Sequence, residues 1–112
     1  MELADMDNAL KSIWQSVAQN MHVIQILLLT HEVTEKTHML LSRAESVIRD
    51  IFHIKGLTTD TYTVGYLRPG NDMTVCRVEV KPEAMPEVLF RLTTLNGVLL
   101  SIIVNLLTAN DK

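Results

Sequence analysis

The 112-residue chain has one cysteine, four glycines, three prolines and no run of basic residues. Each shortage removes a class of function. A single thiol, Cys76, forms no internal disulfide, so the stapled secreted folds are out and a cytoplasmic location is expected. The glycines, at 56, 65, 70 and 97, are never clustered. That removes the glycine-rich loops that cradle phosphates. The ten Lys and Arg residues are scattered and the net charge is −3. Nucleic-acid binding needs a basic patch, so no such partner is expected. The start of the chain is acidic, without the positive and apolar regions of a signal peptide. The longest apolar stretch, residues 23–29, is broken by Gln25 and falls short of the ~20 residues that cross a bilayer, so no membrane partner is expected.

What remains is ordinary for one globular domain: 47% hydrophobic and 21% charged residues. A mean hydropathy of +0.18 is high for so small a domain. It implies apolar surface buried against a partner, with a second copy favoured.

Hydrophobic spacing gives the element order. Residues 3–19 read as an amphipathic helix, with Leu3, Met6, Leu10, Ile13, Trp14 and Val17 on one face. Residues 22–30, nearly all apolar, read as a covered strand. Residues 32–52 read as a helix, and Gly56 ends that segment. Residues 57–67 and 73–81 alternate and flank an Arg68-Pro69-Gly70-Asn71-Asp72 turn, which predicts a hairpin. Pro82 to Glu87 opens a further helix, Asn96-Gly97 stops it, and residues 98–107 read as a last strand. The expected fold class is therefore α+β: a ferredoxin-like βαββαβ sandwich over residues 21–108, an extra amphipathic helix over 1–20, and a tail over 109–112.

Catalytic constellations are missing. Four histidines (His22, His31, His38, His53) and Cys76 offer metal-ligand chemistry without a standard ligand spacing. Cys76 reads as a small buried hydrophobe, no serine sits in a GxSxG turn, and the close carboxylate pairs suit helix starts. No enzyme, cofactor or metal site is expected.

Short motifs then suggest a family. Leu41-Ser42-Arg43 early in the first crossover helix, Phe52-His53-Ile54-Lys55-Gly56-Leu57-Thr58 entering a strand, Met73-Thr74-Val75 opening the next, and Leu92 and Leu95 before Gly97-Val98 together span about residues 22–107. In these stretches the chain resembles ACT domains, and among them the small regulatory subunits of acetohydroxyacid synthases. The resemblance implies a regulatory module that dimerises through its sheet and modulates a catalytic subunit of a biosynthetic enzyme. It also implies a small amino acid held at the subunit interface near His31, Glu32, Thr34, His53 and Lys55. Residues 30–38 depart from the family pattern in having neither proline nor glycine where a turn approaches the effector. Two alternatives stay open: a metal-responsive ferredoxin-like sensor using the histidines or Cys76, and a ligand-free assembly protein forming a dimer or larger homo-oligomer.

Overall fold

A computed structural model of the chain describes residues 3–59 and 78–109. Helix α1 runs Leu3–Thr30, α2 runs Glu35–Phe52 and α3 runs Met85–Ala109. Between α2 and α3 lie two three-residue strands, β1 (Leu57–Thr59) and β2 (Val78–Val80), and a 3-10 turn at Pro82–Ala84. The strands pair antiparallel, Leu57 opposite Val80 and Thr59 opposite Val78. Among the described residues the fold is three helices with a small ribbon at one side. It is not the ferredoxin-like βαββαβ sandwich, and the ACT-like fold is corrected with it.

Two of the expected strands are helix. Residues 22–30 continue α1 without a break, because neither Gly nor Pro stands between Val17 and Thr30. Met21, Ile24 and Leu28 recur at three and four residues and turn inward. A short apolar run fits a strand or a buried helix equally by composition; here the helical phase set by Leu10 and Val17 carries through. Residues 98–107 likewise continue α3. Asn96-Gly97 does not stop it: Gly97 keeps a negative φ, and among the described residues only Gly56, at φ 97°, takes the left-handed conformation. Gly56 has that conformation just past the His53 cap of α2, and its neighbours then lead into β1. A side chain there would be strained and would meet the Ala84 Cβ at 3.3 Å.

The hairpin expected at 57–81 is met at its described base by the β1–β2 pair. The rest of it, with the 68–72 turn, Asp60, Met73-Thr74-Val75 and Cys76, lies outside the described residues.

Helix α3 is the spine, packing against both α1 and α2. Its inward stripe is Met85, Val88, Leu92, Leu95, Leu99, Ile102 and Leu106, spaced alternately three and four apart and almost fully buried. From α1 come Val17, Met21, Ile24 and Leu28; from α2 come Leu41, Ala44, Ile48 and Ile51. This alternating spacing is the seam of packed helices. A polar link crosses it: Asn20 Nδ2 donates to Asn96 Oδ1 at 2.7 Å between α1 and α3.

Candidate functional site

The residues picked out by the resemblance do not form one cluster. His31, Glu32 and Thr34 lie in the link between α1 and α2, and His53 and Lys55 lie beyond the far end of α2. An 18-residue helix, about 27 Å long, separates the two groups. Thr34 serves the fold instead. As N-cap of α2, its hydroxyl accepts from the Thr37 backbone N–H at 3.2 Å. The buried Thr37 hydroxyl is 3.0 Å from it. His31 Nδ1 meets the Thr30 hydroxyl at 2.9 Å, and His53 Nδ1 meets the Arg49 carbonyl oxygen at 2.7 Å. Both rings are thus tied to their own helix ends. His22 and His38 are exposed on α1 and α2. Among the described residues no three His, Cys, Asp or Glu side chains gather as a metal site would require.

The feature with functional content is the outer side of α3. Phe90, Thr93, Gly97, Leu100, Val104 and Leu107 follow one another at three, four, three, four and three residues. They lie directly opposite the buried stripe, because each falls midway between its members in the helical repeat. Phe90 is 67% exposed, Leu100 48%, Val104 57% and Leu107 47%. No charged residue stands between Arg91 and Ala109. The hydroxyls among them donate to carbonyls of their own helix. Thr93 donates to the Leu89 carbonyl at 2.8 Å, Ser101 to Gly97 at 3.1 Å and Thr108 to Val104 at 2.8 Å. A hydroxyl bonded this way can be covered by an apolar partner without losing a bond to water. Gly97 leaves the middle of the stripe without a side chain, and an added Cβ there would point into open space.

Sequence reasoning misses this face because it reads 98–107 as a strand. The signal that could have found it is the uninterrupted three-four spacing from Phe90 to Leu107. The segment Pro82–Ala109 is also long and apolar enough to cross a membrane, although about a third of its most apolar window is buried by the rest of the chain.

No family model, curated protein or solved structure matches the chain.

Proposed function

We propose that this chain is a helical assembly module, acting through protein contacts rather than chemistry on a small molecule. The observation that carries this reading is the second apolar stripe of α3, opposite the one that builds the core. A surface helix in a self-sufficient domain has one apolar side; one that is apolar on both sides is buried on both. Phe90, Leu100, Val104 and Leu107, at their observed exposures, present on the order of 400 Å² of apolar surface. A partner surface of the same kind would cover up to about 800 Å² of apolar surface in all, counting both sides.

The test is a thermal-shift panel of the twenty amino acids and common divalent metals, with mass measured by light scattering. The assembly reading expects no ligand shift and a mass above the 12.6 kDa of one chain. A ligand at a hundred times its Kd would stabilise by about 2.7 kcal/mol, well within detection. Such a shift on a protein that stays monomeric overturns the reading and restores a sensor.

A further inference from the structure

We infer that the occupant of the outer α3 face is a second copy of the chain, with the two α3 helices antiparallel and crossing beside Gly97 and Leu100. The inference rests on the assembly reading and adds the partner and the register.

The first argument is self-complementarity. A two-fold axis requires that if residue i meets residue j, then j meets i. The three-four-three-four-three spacing reads the same in both directions. Laid antiparallel about its centre, it puts Phe90 opposite Leu107, Thr93 opposite Val104 and Gly97 opposite Leu100 of the other copy. Each pairing joins a larger side chain to a smaller one. Gly97, with no side chain and open space before it, faces Leu100 at both symmetry-related positions. A parallel pair would set Gly97 against Gly97 and Phe90 against Phe90.

Area and charge agree. Two copies would cover about 800 Å² of apolar surface. A standard interface buries roughly 1,600 Å² in all, of which somewhat over half is apolar. Nothing charged on the stripe opposes its own image, and antiparallel helices set opposite ends of their dipoles together.

A lipid surface fits less well. Helices that lie on membranes carry Lys and Arg on the flanks of their apolar face, and α3 has only Arg91. Immersing α3 would take α2 with it, and α2 exposes Lys36, Arg43, Arg49 and Asp50.

The test uses the full chain with Cys76→Ser. The double variant Thr93→Cys with Val104→Cys should give a covalent dimer under mild oxidation, while each single variant stays uncrosslinked. Within one helix the two positions are about 16 Å apart and cannot bridge. Leu100→Glu should weaken dimerisation by about 30-fold or more, as expected for a central buried residue. Gly97→Ala should weaken it by about tenfold while helix content and monomer stability hold or rise, an outcome that misfolding cannot imitate. Crosslinking by single Val104→Cys would mean a parallel pair and would overturn the proposal. An oligomer indifferent to Leu100→Glu would sink it too, yet leave the assembly reading standing on another surface. A monomer that floats with anionic phospholipid vesicles would assign the face to a membrane. A monomer that binds nothing would end both readings.

Discussion

Helices α2 and α3 share a core but present opposite characters to solvent. Behind the buried Leu41, Ala44, Ile48 and Ile51, α2 exposes Lys36, Ser42, Arg43, Ser46, Arg49 and Asp50. Its Arg49 is hydrogen-bonded to Glu45 one turn earlier. An exposed pair of this kind adds at most about 1 kcal/mol, but its charges keep that side wet. Behind its own buried stripe, α3 shows water Phe90, Leu100, Val104 and Leu107. Both helices use the same three-four spacing to reach the core. The difference lies in what stands opposite it, which is charged and polar on α2 and apolar on α3.

The contrast can be tested from either side. The largest effect should come from the shared core. Leu99 is fully buried at the centre of α3, so Leu99→Ala should cost about 2–5 kcal/mol in denaturant unfolding. A loss under about 1 kcal/mol would show that the inward stripe of α3 is not the spine described. A smaller loss is expected at the α2 entrance. Thr34→Ala removes the cap and the partner of the buried Thr37 hydroxyl, and should cost about 1–2 kcal/mol. The circular dichroism signal of the remaining helix should be almost unchanged. Smallest is the control on the wet side. Met39 is 67% exposed on α2, so Met39→Lys should change stability and oligomer mass hardly at all, within about 0.5 kcal/mol. If it dissociates the protein as Leu100→Glu is expected to, the division between the two helices fails.

The same contrast explains what can be read in the sequence. The helix expected over 32–52 is found at Glu35–Phe52, because its charges mark a solvent side and so fix the period. The ends of the hairpin, at Leu57–Thr59 and Val78–Val80, are legible through alternation. The second halves of α1 and of α3 are not. Where Ile, Leu and Val fill both sides of a helix, the polar residues that would reveal its phase are missing, and a nine- or ten-residue apolar piece has the length of a strand. Asn96-Gly97 adds a false stop, since its turn preference yields when flanking turns of helix are held by Leu92, Leu95, Leu99 and Ile102. Once those halves are cut off as strands, the ferredoxin-like order follows. The outer stripe then vanishes, because a strand deals alternate residues to two faces. The candidate ligand residues stay in two groups, because the length of α2 stands between them.

The amide pair Asn20–Asn96 has a consequence for how α1 sits on α3. Its members lie 76 residues apart, so the contact of α1 with α3 carries the entropy cost of closing a long loop. Both helices offer repeating Leu and Ile surfaces, and a slide of one repeat would bury nearly as much oil. Such a slide would leave an amide facing leucine, at a cost of about 1–3 kcal/mol for each stranded group. The bond therefore marks one alignment of α1 on α3 among several that the apolar surfaces alone would accept about equally well.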